Sequence, residues 1–275
     1  MKRFVLGLGA QKAGTTWLHS YLGSFDGVDF GPLKEYHVWD AIADPRLKGF
    51  VVSDERLASL AGKPQYHAIK LRHDMQRDPN LYASFFDGLI EAGNWMTGDI
   101  TPSYAGLDVA TLRDIRDRLE DRGFDLRVVY LMRDPFERVW SMARMQNRDN
   151  PAISDDERVL ADIRALENLY KSEQYRLRTE YHRTIERIEQ VFTPEQTFFG
   201  FYEDLFTVPS LERIEAFFGV PVKDDHLSVQ VNVSEKKVDV PEKLERKIRT
   251  FYAPVYDACA QKFPQTRTLW VPNRA

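Results

Sequence analysis

Arg3-Phe4-Val5-Leu6-Gly7-Leu8-Gly9 leads directly into Ala10-Gln11-Lys12-Ala13-Gly14-Thr15-Thr16-Trp17. Phe4–Ala10 is a continuous apolar run, Arg3–Gly9 reads as a buried strand, and a helical pattern opens at Thr16 and continues to Leu22. Between the two, glycines let the backbone turn tightly, so that successive N–H groups and the positive end of the new helix face an anion. Lys12 adds a point charge, and Thr15 and Thr16 add hydroxyl donors. Met1-Lys2-Arg3 mimics the start of a secretory signal, but the apolar run passes straight into turn and helix, which predicts a buried first strand.

Strand and helix patterns alternate along the rest of the chain. Tyr66–Leu71 reads as a second short apolar segment in the strand series and Asn94–Ile100 as a third strand, ending in Thr101-Pro102-Ser103. Val109, Leu112, Ile115 and Leu119 recur at helical spacing before Gly123. Leu126–Met132 is a continuous buried-strand run, with Asp134 placed to cap a helix and Pro135 at its first position. Ser154 and Glu157 have capping-box spacing before a long helical stretch striped by Leu177, Tyr181, Ile185, Ile188 and Phe192. Thr197–Tyr202 predicts another strand, and Leu211, Ile214, Phe217 and Phe218 a helix closed by Gly219. One last helix carries Leu244, Ile248, Phe251, Val255 and Cys259. Strands separated by helices predict an α/β fold: a mostly parallel sheet with helices on both faces, in a single domain over residues 1–275.

Composition narrows the function classes. The 275 residues are 43% hydrophobic and 12% aromatic, which excludes disordered, collagen-like and disulfide-scaffold classes. With 38 basic against 42 acidic side chains the net charge is −4, without the basic excess of a general nucleic-acid binder. No apolar run approaches the ~18 residues of a membrane helix, so no integral membrane segment is expected. Cys259 is the single cysteine and zinc-type Cys/His spacings are absent. The expectation is a cytoplasmic protein without a metal site, its oligomeric state open.

The turn at residues 9–17 has the spacing of the phosphate-binding loop GxxxxGK[ST], but Thr15 stands where that loop has its lysine. A nucleoside triphosphatase uses that lysine with Mg²⁺ to manage charge over three phosphates. A donor with one phosphate bonded to a sulfuryl group can be served by Lys12, two threonines and backbone amides, without metal. Gly9–Trp17 also resembles the 5′-phosphosulfate loop of sulfotransferases that use 3′-phosphoadenosine 5′-phosphosulfate (PAPS). The family's second loop, for the 3′-phosphate, pairs a strand-end arginine with a serine eight positions on. Arg133-Asp134-Pro135-Phe136-Glu137-Arg138-Val139-Trp140-Ser141 matches it. Guanidinium offers a planar fork to phosphate oxygens.

That resemblance implies a P-loop-like sheet and cofactor contacts from Gln11, Lys12, Ala13, Gly14, Thr15, Thr16, Trp17, Arg133 and Ser141. Trp17 matches the tryptophan that packs on adenine in cytosolic members; packing in the core is the alternative. Lys34-Glu35-Tyr36-His37-Val38-Trp39-Asp40 resembles the KExHFFD segment of heparan-sulfate-type members, whose glutamate is the presumed base. By that match Glu35 is the catalytic base, Lys12 neutralises the bridging oxygen, and Lys34 and His37 assist. His19 lies within the first helix and is not expected to face the acceptor.

Weaker matches are Gly98–Tyr104, where Ile100 replaces a family lysine, and Phe201–Leu205, read as mostly architectural. Asn232–Lys237 stands where the family closes over the 3′-phosphate with a glycine-containing basic loop, which is missing here. The implied reaction carries the sulfuryl group from PAPS to a carbohydrate or small-molecule hydroxyl and releases adenosine 3′,5′-bisphosphate. The alternatives are a P-loop nucleotide kinase and a catalytically inactive nucleotide-binding module.

Overall fold

The computed structural model describes residues 2–147, 154–221, 223 and 240–271. Four parallel strands form its sheet: β1 (Arg3–Gly9), β2 (Met96–Ile100), β3 (Asp125–Met132) and β4 (Thr197–Phe201), in the order β2-β1-β3-β4. Every residue of β1 and β2 is buried, as expected of strands covered on both faces. The helix Asn80–Glu91 packs on β2 and Val109–Glu120 on β3. Phe4 on β1 meets Phe86 and Phe124 edge-on, with ring centroids 4.9 and 5.5 Å apart.

The strand order places the site. The chain leaves β1 toward β2 on one side and leaves β3 toward β4 on the other. The loops after β1 and β3 therefore diverge, opening a crevice at the carboxyl ends of two neighbouring strands. Residues 10–17 and 133–141 are those two loops with their helices.

Three sequence expectations are corrected. Tyr66–Leu71 is not a strand but the start of the helix Tyr66–Arg77. Ala68, Lys70, Leu71, Arg72, Met75 and Gln76 are strong helix formers, with Ile69 the single β-branched residue in the segment. The long stretch after Ser154 is three helices, Asp155–Leu169, Glu173–Leu177 and Tyr181–Glu189. Ser172 adopts extended geometry at the first break, and at the second the Thr179 hydroxyl donates to the Tyr175 carbonyl at 2.6 Å, both local alternatives to a continuing helix. The last helix is two, Glu242–Phe251 and Ala253–Lys262, because Pro254 has no N–H to continue the ladder. The capping box at Ser154 and the left-handed Gly219 after Phe218 form as expected.

Candidate active site

The helix Thr15–Leu22 starts from Gly14 at φ 92°, a conformation that favours glycine, and a Cβ there would strike Leu205. No side chain caps this helix, so its first-turn amides are available to an anion. Lys12 is also left-handed, at φ 71°, and its Nζ lies 3.9 Å from the Met145 sulfur. The loop is tied to β3 and its end: the Ala10 N–H donates to the Leu131 carbonyl at 2.5 Å, and Arg133 Nη1 to the Lys12 carbonyl at 3.3 Å.

At the end of β3, Asp134 caps the helix Pro135–Asn147 by accepting the Glu137 N–H at 3.1 Å. Arg249 and the Tyr256 hydroxyl, both from the C-terminal helices, bond the same carboxylate at 2.9 Å. The Arg133 guanidinium lies 4.3 Å over the Tyr202 ring and reaches Glu137 at 3.3 Å, and Ser141 is buried two turns on. Glu203 accepts the Asp134 N–H at 2.8 Å and the Trp270 Nε1–H at 3.0 Å. Burial, reinforced by the charge of Asp134, pushes its carboxyl up to about 7.

Glu203 thus binds its proton more tightly in the folded chain than in the unfolded one, where a glutamate titrates near 4.3. The resulting stability is fully present below that lower value and is lost as pH rises through about 7. Glu203→Gln has no such proton to release. Denaturant unfolding at pH 5 and pH 8 should therefore show a smaller pH difference in the variant than in the parent.

The segment after residue 33 contributes a chain of charged groups. Lys34 Nζ lies 2.6 Å from Glu35 Oε1, and His37 Nε2 lies 3.2 Å from Glu35 Oε2. His37 Nδ1 is 2.7 Å from Asp40 Oδ2, and Asp40 is fully buried and also accepts from the Ser103 hydroxyl. Burial alone would raise the Glu35 carboxyl, but the hydrogen bond from His37 and the charge of Lys34 outweigh it and hold the group at about 2. For His37 burial works downward, and the bonds to Asp40 and Glu35 outweigh it, raising the imidazole. The imidazole ring thus sits between two carboxylates, an arrangement that favours its protonated form. His19, by contrast, is lowered to about 4 by burial and then by the charge of Lys34.

One cavity is lined by Gln11, Lys12, Gly14, Thr15, Thr16, Trp17, Lys34, Glu35, Arg133 and Ser141, together with Pro102, Met145, Tyr202 and Phe206. Two roomier grooves, of about 540 and 600 Å³, lie elsewhere, along ion-paired arginines and glutamates and against the C-terminal helices. Neither contains a residue of the two loops, so chemistry rather than size singles out the smaller cavity. The Ala13 side chain is buried and does not line it, and His37 connects to it through Glu35. Trp17 is a core residue, 2% exposed and stacked on Tyr21, whose edge reaches the cavity. Ile100 is fully buried in β2, and Asn232–Lys237 lies outside the described residues.

Sequence reasoning assigned no role to Asp40, Ser103, Tyr202, Met145 or Phe206. Asp40 and Tyr202 stand inside segments already singled out, at the helical offset from His37 and beside Glu203. Ser103 meets Asp40 across 63 residues, a contact that local pattern cannot show.

Residues 123–247 match the family model described as a sulfotransferase domain. No curated protein matches the sequence. Among solved structures, a sulfotransferase from Alicyclobacillus acidocaldarius is similar at 19% identity, with a TM-score of 0.60 and 96% of each chain covered. The sulfotransferase domain from the curacin biosynthetic pathway is similar at 15% identity, with a TM-score of 0.50, covering 95% of this chain and 98% of that one. At such identities the structural likeness is one of fold. The family match lies over β3, the Arg133 loop and β4, and over that segment the chain is similar to sulfotransferase domains.

Proposed function

We propose that this protein is a sulfotransferase that uses PAPS and transfers its sulfuryl group to a hydroxyl of a small molecule or glycan, with Glu35 as base. The observation that carries the reading is the single cavity shared by the Lys12–Trp17 loop, Arg133, Ser141, Lys34 and Glu35. The amides of the first loop and Thr15 and Thr16 take the 5′-phosphosulfate. Arg133 and Ser141 take the 3′-phosphate. The acceptor oxygen attacks sulfur as its proton passes to Glu35, and the bond from sulfur to the bridging oxygen breaks. Adenosine 3′,5′-bisphosphate leaves with that electron pair, its charge met by Lys12 and the loop amides. Positioning and preorganised charge supply most of the rate.

The resting Glu35 carboxylate is a weak base because two cations bond it. In this scheme Lys34 turns from Glu35 to the donor's sulfonate, which leaves burial opposed by His37 and raises the carboxylate's proton affinity. Asp40 keeps His37 charged and oriented behind it. One domain over residues 1–275 and a cytoplasmic location belong to the same reading; the first is supported by Arg249, Tyr256 and Trp270 bonding the carboxylates beside Arg133.

Thermal shift with adenosine 3′,5′-bisphosphate against Mg·ATP, followed by transfer of labelled sulfate from PAPS across glycans, phenols, alcohols and amines, tests it. Stabilisation by the bisphosphate and labelled product are expected. Stabilisation by Mg·ATP alone would favour a kinase, and binding of PAPS without transfer to any acceptor would favour an inactive module.

A further inference from the structure

We propose that Asp99 and Tyr104, at the end of β2, are positioning residues that fix the backbone carrying Glu35 and His37; the inference rests on Glu35 being the base. Asp99 is fully buried. Its Oδ1 accepts the Tyr36 N–H at 3.3 Å and the Thr101 hydroxyl at 2.6 Å, and the Thr101 oxygen accepts the same Tyr36 N–H at 3.0 Å. Its Oδ2 accepts the Tyr104 hydroxyl at 2.8 Å and the Tyr82 hydroxyl at 3.1 Å. The Tyr104 oxygen in turn accepts the Val38 N–H at 3.2 Å. One carboxylate therefore holds both amides that flank His37, directly and through a tyrosine.

The carbonyls of the same stretch are held from the helix Tyr66–Arg77. Arg72 Nη2 donates to the Glu35 carbonyl at 2.5 Å and Gln76 Nε2 to the His37 carbonyl at 2.6 Å. These four anchors surround a histidine at φ 50°, a conformation that L residues rarely hold unless their surroundings over-determine it. That backbone angle is what turns the His37 ring between Glu35 and Asp40. The Gly98–Tyr104 segment thus acts on the reaction without lining the cavity through Asp99 or Tyr104. Its lysine-to-isoleucine departure at Ile100 leaves this task untouched, because the task belongs to the residues on either side.

The test compares Asp99→Asn, Tyr104→Phe and Tyr82→Phe in the full chain. Tyr82 bonds the same carboxylate and its ring meets Trp39 edge-on at 5.3 Å, but it holds neither the Tyr36 nor the Val38 amide, so Tyr82→Phe, which keeps the ring, controls for lost stability. Tyr104→Phe and Asp99→Asn are expected to lower kcat roughly 10–100-fold, the scale on which small misplacements act. Affinity for adenosine 3′,5′-bisphosphate stays within about twofold, since the 9–17 and 133–141 loops are unaltered, and Tyr82→Phe keeps its turnover. Nitrogen-detected titration of the His37 imidazole supplies a readout independent of activity: its pKa falls toward about 6.5 in Tyr104→Phe, as the bonds to Glu35 and Asp40 loosen. A folded Tyr104→Phe with parental kcat and parental His37 titration overturns the proposal, as does an equal loss in Tyr82→Phe. If the parent transfers no sulfate at all, the function reading fails, while the His37 titration still decides whether Tyr104 sets the loop.

Discussion

Replacing Glu35 with glutamine lowers the turnover of sulfate transfer by roughly 10²–10⁴-fold, the span that a positioned general base contributes. Glutamine keeps the size of the side chain and a carbonyl oxygen that can accept from His37, but it cannot receive the acceptor's proton. Nucleotide affinity should hold or rise, because Lys34 loses its carboxylate partner at 2.6 Å and its charge becomes available to the cavity. Initial rates at saturating PAPS, set beside calorimetric titration with adenosine 3′,5′-bisphosphate, separate the two effects. An equal fall in affinity would remove the base role. The acid side of the pH profile adds a check: a carboxyl held at about 2 stays ionised throughout the range where the protein can be assayed, so this group gives the free enzyme no acid limb near pH 4–5.

Arg133→Ala weakens adenosine 3′,5′-bisphosphate by roughly 10–150-fold, equivalent to the 1.5–3 kcal/mol of a hydrogen bond to a charged group. Adenosine 5′-phosphate, which lacks the 3′-phosphate, loses far less. The ratio of the two affinities is the useful quantity, because Arg133 also bonds the Lys12 carbonyl and so braces the other loop. If both nucleotides weaken alike, bracing is its main task and the 3′-phosphate is held elsewhere. Arg133→Lys should fall between, keeping the charge but losing the planar fork that sits over Tyr202.

The parts of the fold legible in the sequence are those settled within a few residues. The β1 turn and the β3 turn are each strand, loop and helix in immediate succession, so glycine, proline and cap chemistry fix them locally. Tyr66–Leu71 is too short to carry a period of its own, and its helical character rests on helix formers both within it and after it, from Ala68 to Gln76. The break before Pro254 is hidden by the apolar stripe from Leu244 to Cys259 that runs across it, as the break between Leu177 and Tyr181 is by the stripe that begins at Leu177. At the site, the Lys34–Glu35–His37 cluster was legible because its members are neighbours. The carboxylate and hydroxyl that orient it, Asp40 with Ser103 and Asp99 with Tyr36, meet across folded distance: Asp99 and Tyr36 lie 63 residues apart in the chain.

The pairing of β1 with β3 has a consequence for how the protein is made. Gly7 of β1 sits beside Val129 of β3, so the two halves of the proposed nucleotide cavity come together only after some 120 residues of intervening chain have been accommodated. Such long-range parallel pairing is slow to form. A chain emerging from the ribosome therefore carries its first anion loop for most of its synthesis without the arginine that completes it. Capture of the nucleotide should be a late event, following closure of the sheet, and adenosine 3′,5′-bisphosphate added during refolding should slow unfolding of the finished protein without speeding its assembly.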